Sequence, residues 1–182
     1  MRADARRNRK RLLEVAGAAI EETGTDASLE DIARRAGVGI GTLYRHFPSR
    51  HALLEALLRD RFDGMRAEAD RLATVEDPVE ALLSWLRILA SQSAAYRGLT
   101  ATMMSALQDE SSELYASCHT MNEAGKALLV RAQSSGAVRA DVDASDVFGL
   151  AYGIAFTVER GADGPAGLET LLSLLMDGLR AR

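Results

Sequence analysis

Two groups of residues in this chain have the types and spacing to do chemistry. His119 and Glu123 stand four apart with Cys118 alongside, a spacing that puts an imidazole and a carboxylate on one helix face and suits a transition metal. Two or three mixed ligands are too few for a closed site, and no Glu-x-x-His occurs to build a di-iron bundle. No glycine-rich phosphate loop follows a strand, and no nucleophile stands with a base. The residues therefore assign no catalytic group, metal or cofactor, and an ordinary helix face is the expected role of 118–123. The second group is basic. Residues 1–61 carry 12 Lys and Arg against 9 acids, a net +3, whereas the remainder stands at −7 within an overall −4. A small basic module joined to a larger acidic one suits a polyanion at the first, though a basic run also reads as a solvated face.

These residues need elements to hold them, and the composition says which. A length of 182 residues, 47% of them apolar, suffices for one domain or two small ones with a proper core. Charged residues at 26% give no argument for wholesale disorder. The single cysteine excludes an internal disulfide, a zinc finger and a CxxC pair, and implies a reducing, cytoplasmic setting. The uncharged stretch 147–158 is 12 residues long, below the roughly 18 of a membrane span. Glu14, Glu21 and Glu22 interrupt the apolar segment a signal peptide would need. No membrane partner is expected.

Alanine and leucine dominate, only three prolines occur, and apolar residues recur at helical spacing almost throughout. The chain reads as all-α, with about nine helices. Leu12, Ala16, Ala19 and Ile20 form one face of a first helix ended by Gly24. Ser28-Leu29-Glu30-Asp31 reads as an N-cap with an acid at the third helical position, and Leu29, Ile32, Ala33 and Ala36 as the stripe of a helix closed by Gly37. A second short helix follows Val38-Gly39 and must stop around Phe47, because Pro48 disfavours helical geometry before it. Ser49 recaps the chain for a long fourth helix with Leu54, Leu57, Leu58, Phe62 and Met65 inward. Asp77 and Pro78 open a further helix, Arg97-Gly98 interrupts, and Leu99 to Leu107 forms a shorter one. Ser111 to about Gln133 is long, Asp143 or Ser145 caps the next, and Gly161 to Pro165 separates it from a last helix, Leu168 to Leu179.

Two short helices joined by a glycine turn describe a helix-turn-helix, whose second helix enters the DNA major groove. Leu29, Ile32, Ala33, Val38, Leu43 and Phe47 can lock them, although a plain helical hairpin shares the pattern. The wording of the motif goes further. Ser28-Leu29-Glu30-Asp31-Ile32-Ala33, Ala36-Gly37-Val38 and above all Gly41-Thr42-Leu43-Tyr44-Arg45-His46-Phe47-Pro48-Ser49-Arg50 resemble the TetR family of bacterial transcriptional regulators over about residues 7–60. The stretches Asp77 to Leu89, Val138 to Val147 and Leu174 to Arg180 look like an SbtR-type C-terminal domain. The resemblance implies a three-helix DNA-binding domain, residues 1–64 with the motif at about 28–47, followed by a helical effector-binding and dimerisation domain, 65–182. It implies a homodimeric cytoplasmic repressor on double-stranded operator DNA, released by a small-molecule effector.

In that role Tyr44 and His46 donate to phosphate from flat apolar bodies, and Arg50 does so from the start of the fourth helix. Thr42 offers a hydroxyl or a methyl to a base, and Arg45 a bidentate fork to guanine. Gly41 permits close backbone approach, and Ser28 meets phosphate through the amides of its helix. Arg2, Arg6, Arg7, Arg9 and Arg11 form a basic arm. Leu43 and Phe47 are core. Ile40 shares their spacing, while the family resemblance puts its position toward DNA, and the two readings stay open. The family commonly has lysine where Arg50 stands and a hydroxyl residue where Gly39 stands.

The C-terminal half gathers aromatic and sulfur side chains: Trp85, Tyr96, Met103, Met104, Tyr115, Met121, Phe148, Tyr152 and Phe156. Such residues fill cores and also line adaptable apolar pockets. With Leu89, and with His119 and Asn122 as polar contacts, they are the candidate effector site. Leu168, Leu171, Leu172, Leu175 and Leu179 make a broad stripe for a dimer, with Gly149, Ala151, Gly153 and Ala155 permitting close approach, although the same two helices could simply close the monomer's own core. The competing readings are a helical protein-binding adaptor and a metal-dependent helical-bundle enzyme.

Overall fold

The computed structural model describes residues 2–94, 109–110, 112–160 and 164–181. The expected helix at 99–107, its interruption at Arg97-Gly98, and most of the expected break at 161–165 lie outside them. Eight helices are present among the described residues: α1 Arg2–Thr23, α2 Leu29–Arg35, α3 Ile40–His46, α4 Arg50–Leu72, α5 Pro78–Ala94, α6 Glu113–Ser134, α7 Ala144–Arg160 and α8 Gly164–Leu179. No strand occurs among these residues, only an isolated antiparallel bridge between Val138 and Arg180. The fold is all-α. Two boundaries differ from expectation. α1 begins at Arg2, so the basic N-terminal residues belong to the first helix. α8 begins four residues early, since a proline such as Pro165 is tolerated in a first helical turn.

The described residues fall into two compact units. One holds residues 2–61 with the described part of 109–115, and the other holds 62–94, 116–160 and 164–181. The boundary falls within α4. In the first unit α1 buries Leu12, Leu13, Ala16, Ala19 and Ile20, α2 buries Leu29, Ile32 and Ala33, and α4 adds Leu53, Leu54, Leu57 and Leu58. The turns are local. Gly24 (φ +82°) and Gly37 (φ +70°) take the left-handed conformation that ends a helix cheaply only for glycine. Ser28 Oγ accepts from the Asp31 amide at 3.2 Å, and Ser49 Oγ from the Ala52 amide at 3.1 Å. Phe47 is extended before Pro48, which stops α3 where the sequence requires.

In the second unit α5, α7 and α8 pack on one another around Leu82, Trp85, Leu86, Leu89, Phe148, Ala151 and Leu172. Asp77 Oδ1 accepts from the Val79 amide at 2.8 Å, and Asp143 Oδ1 from the Asp146 amide at 3.1 Å, so both expected caps form. A Cβ built on Gly125 would fall 2.2 Å from a carbon of the Trp85 ring, so only glycine lets α6 come so close to the indole. Arg131, on α6, donates to the carbonyl oxygens of Ala73 (3.1 Å), Val75 and Glu76 (2.9 Å), which follow α4. The C-terminal residues are tied to the turn after α6, where Arg139 N donates to Leu179 O (2.9 Å) and Ala181 N to Ala137 O (3.0 Å).

Candidate nucleic-acid interface and ligand cluster

The seven residues of α3 divide cleanly between core and surface. Leu43 and the capping Phe47 are buried and hold the helix down. The opposite face carries Ile40 (37% exposed), Gly41, Tyr44 (43% exposed) and Arg45. Ile40 therefore lies on the surface, which settles its side. Thr42 and His46 are half-buried at the edges, with the His46 ring tilted 6.3 Å from that of Phe47. Arg45 folds back along its own helix, donating to Gly41 O and Thr42 Oγ1 at 3.1 Å each. Both are local bonds, made without a carboxylate, so the guanidinium keeps its charge available. A Cβ on Gly41 would meet nothing within 4 Å. Internal packing therefore does not require a glycine that weakens the helix.

The supporting cations behave differently from one another. In α2, Arg35 is held by Glu22 through two bonds of 2.8 and 2.9 Å, and Arg34 is paired with Asp31. The Arg35 guanidinium pulls the Glu22 carboxyl below its ordinary range. Among the described residues Arg6, Arg9, Arg11, Arg45 and Arg50 pair with no carboxylate. Arg9 instead sits over the Phe47 ring, 5.4 Å from its centroid, tying α1 to the end of α3. Arg50 Nη1 donates to the carbonyl oxygens of Thr25 (2.9 Å) and Ala27 (2.6 Å). The residue expected to reach outward is engaged inward, fastening the α1–α2 loop to the first turn of α4. Ser28 serves as the cap of α2, its hydroxyl also donating to Glu30 Oε2 at 3.1 Å.

In the second unit only part of the expected cluster assembles. Trp85, Leu89, Met121 and Phe148 are buried, with the Trp85 and Phe148 rings 4.9 Å apart and tilted by 54°. Asn122 Nδ2 donates to Cys118 Sγ at 3.6 Å. Burial pushes the Cys118 thiol up to about 11, an effect that the Asn122 bond opposes. Burial, with Cys118 nearby, also raises the phenol of the half-buried Tyr152. His119 is exposed and Phe156 is nearly half exposed, because successive helical positions turn away from the buried face. His119 and Cys118 thus point apart, unlike a shared metal site. Tyr115 is half-buried and belongs to the first unit, while Tyr96, Met103 and Met104 lie outside the described residues. The sequence reading missed Gly125, whose signal was a glycine inside a long helix. It also missed an open groove of about 370 Å³ lined by Asn122, Glu123, Lys126, Asp143, Ala144, Ser145 and Phe148, most of them exposed.

Part of the leucine stripe of α8 closes the unit's own core. Leu168, Leu172 and Leu179 are buried in the unit's own core, and Leu171 and Leu175 are half-buried. The apolar residues left outside on α7 and α8 are Leu150 (57% exposed), Phe156 and Leu174 (63% exposed). Gly149, Gly153 and Gly178 are exposed beside them.

A short helix fixed by a glycine turn, with its polar and cationic face outward, is the arrangement of a helix-turn-helix DNA-binding protein. Residues 12–57 match the bacterial regulatory proteins of the tetR family, and residues 77–181 match the C-terminal domain of SbtR-like transcriptional regulators. The chain belongs to the TetR family of transcriptional regulators. A TetR transcriptional regulator of Streptomyces coelicolor is 37% identical, with 95% of this chain and 98% of that one covered at a TM-score of 0.76. A TetR regulatory protein of Mycobacterium vanbaalenii is 36% identical over 99% of each chain, with a TM-score of 0.67. The chain spans about a third of the length of the curated relatives it matches: an HTH-type transcriptional regulator of Staphylococcus aureus is 39% identical over 64 residues, 35% of each. This family and fold are those of transcriptional regulators rather than enzymes. No helix among the described residues is long and apolar enough to cross a membrane.

Proposed function

We propose that the protein is a cytoplasmic repressor that binds a partly palindromic operator as a homodimer and leaves it when a small, uncharged, largely apolar effector binds. Residues 1–64 serve as the DNA-binding domain and 65–182 as the effector and dimerisation domain. The observation that carries the reading is the outer face of α3, where Arg45 lacks a carboxylate partner and lies beside Tyr44 and an open Gly41. In the groove Arg45 exchanges its local bonds for a guanine edge, Thr42 is freed for a base, and Tyr44 and His46 take phosphates. Ser28 holds the start of α2 toward the backbone. One such helix reads few bases, so two copies about 34–36 Å apart double the site. The second copy covers Leu150 and Leu174 on α7 and α8, where small neighbours permit close approach. Effector binding weakens DNA binding tenfold if it favours the non-binding state by about 1.4 kcal/mol.

Electrophoretic mobility shift with the promoter beside its own gene tests the assignment. Tyr44→Ala should weaken binding to all sequences, whereas Arg45→Ala should chiefly relax base preference. Unchanged affinity in both variants would refute it, and so would no shift by the wild-type chain, the result that an adaptor acting through the second unit alone would give. Leu174→Asp should give monomers in sedimentation, and a wild-type monomer at micromolar concentration would remove the dimer.

A further inference from the structure

Among the described residues of the first unit, two large apolar side chains stand exposed, Ile40 and Tyr44. They lie one turn apart on the outer face of α3, which Ile40 begins. Tyr44 has a phenol to offer a phosphate, whereas Ile40 has neither donor nor acceptor. The start of α2 shows what the start of a short helix ordinarily carries. Ser28 caps it, with Oγ accepting from the Asp31 amide at 3.2 Å, and Glu30 and Asp31 fill its first turn. α3 has none of these: its N-cap is Gly39, which makes no side-chain bond, and its first turn holds no acid. A branched apolar residue does nothing for a helix N-terminus, where unpaired amides favour oxygens and negative charge. The start of α3 is therefore shaped by something other than its own stability.

A DNA duplex accounts for both the missing groups and the one present. Carboxylates at this place would repel its phosphates. A Cβ built on Gly39 or on Gly41 would meet nothing within 4 Å, so the two neighbours of Ile40 leave its exposed side unobstructed. Its side chain can take part in no hydrogen-bond code. Among the base edges of the major groove one apolar group is on offer, the C5-methyl of thymine, and the minor groove has no counterpart. Thr42 also carries a methyl, but it is half-buried and its Oγ1 accepts from Arg45 at 3.1 Å. Arg45 stands five residues beyond Ile40. At about 1.5 Å per residue that is about 7.5 Å along the helix, or about two base steps.

We propose that Ile40 is a specificity-determining residue that reads a thymine methyl in the major groove, about two base pairs from the guanine read by Arg45. This rests on the operator reading above and names part of the sequence that a half-site contains. The test replaces each thymine of the promoter duplex in turn by deoxyuridine, which keeps every hydrogen-bonding group and lacks only the methyl. Wild-type affinity should fall about fourfold, the worth of one buried methyl, at a thymine near the guanine whose preference Arg45→Ala relaxes. In Ile40→Ala, whose side chain is too short to reach, thymine and deoxyuridine at that place should bind equally well. The salt dependence of this variant should match wild type, since no phosphate contact is lost. Ile40→Leu keeps the apolar bulk and should retain the difference. A wild-type chain indifferent to every methyl, a difference that survives Ile40→Ala or is abolished instead by Thr42→Ser, or one confined to thymines remote from that guanine would each overturn the proposal. The two readings fail separately. No shift with the wild-type chain removes operator binding and this role with it, whereas tight operator binding blind to deoxyuridine removes only the role of Ile40.

Discussion

The two units place their polar chemistry on opposite sides of their cores. In the first, the core is hydrocarbon, and the groups suited to DNA stand outside on one short helix, fastened by Leu43 and Phe47. In the second, the outer faces of α7 and α8 expose leucine and glycine, while a thiol, an indole N–H and an amide lie among buried rings. A polymer is met from outside by a rigid convex surface, whereas a small molecule is enclosed. The contrast teaches that glycine means different things in the two places. Gly41 is open toward solvent, and Gly125 is pressed against an indole.

The sharpest way to break the comparison is therefore Gly125→Ala. The added methyl must displace the Trp85 ring, and overpacking of this kind costs about 1–3 kcal/mol. Thermal unfolding should move down by several degrees, and an unmoved midpoint would show that the indole repacks freely. Next in size is Arg50→Ala. Loss of its bonds to Thr25 O and Ala27 O should destabilise the first unit by about 1–2 kcal/mol. The slope of log affinity for a promoter duplex against log salt should meanwhile stay unchanged. A phosphate ligand would instead lower that slope by about 0.9, and such a result would return Arg50 to the interface.

Gly41→Ala should act in the other direction on stability, gaining up to about 1 kcal/mol as an exposed helical position loses its glycine. Its DNA affinity should fall nonetheless, and retention of affinity would mean that nothing approaches closely there. The smallest effect is in acid. Glu22 is held low by Arg35, Glu169 by Arg87, and Asp143 by the Ser145 hydroxyl and the Asp146 amide. Groups lowered in the folded state contribute stability above their ordinary values and lose it as pH falls through the folded ones. A pH titration of the unfolding midpoint should therefore decline slightly below about pH 4. A rise there would contradict the pairs.

What the sequence could disclose follows from distance along the chain. Ser28 capping Asp31, the glycine turn at 37 and the stop before Pro48 each involve residues within four positions, and local chemistry determines them. Ile40 stayed open because helical spacing puts it with Leu43, while only the packed helix shows it outside. The inward bonds of Arg50 are not legible because its acceptors are main-chain oxygens more than twenty residues away, and a carbonyl has no residue type to read. The leucines of α8 leave their role open for a related reason. A helix with apolar residues on two faces does not say which face its own core takes, so Leu172 went inward and Leu174 outward. The cluster of Trp85, Asn122 and Phe148 draws on three helices, and its composition was visible where its geometry was not.

The two arginine clasps share a property with a bearing on sequence drift. Arg50 and Arg131 grip only peptide carbonyls, at positions 25, 27, 73, 75 and 76. Every amino acid, proline included, supplies that oxygen. The four of these positions that are not buried are thus free to change identity without touching the bond, while the buried Ala27 and the two arginines are not. Length is the exposed variable: one inserted or deleted residue shifts every carbonyl out of register. The α1–α2 loop and the turn after α4 should accept substitutions at their exposed positions readily and insertions poorly, the reverse of ordinary surface connections.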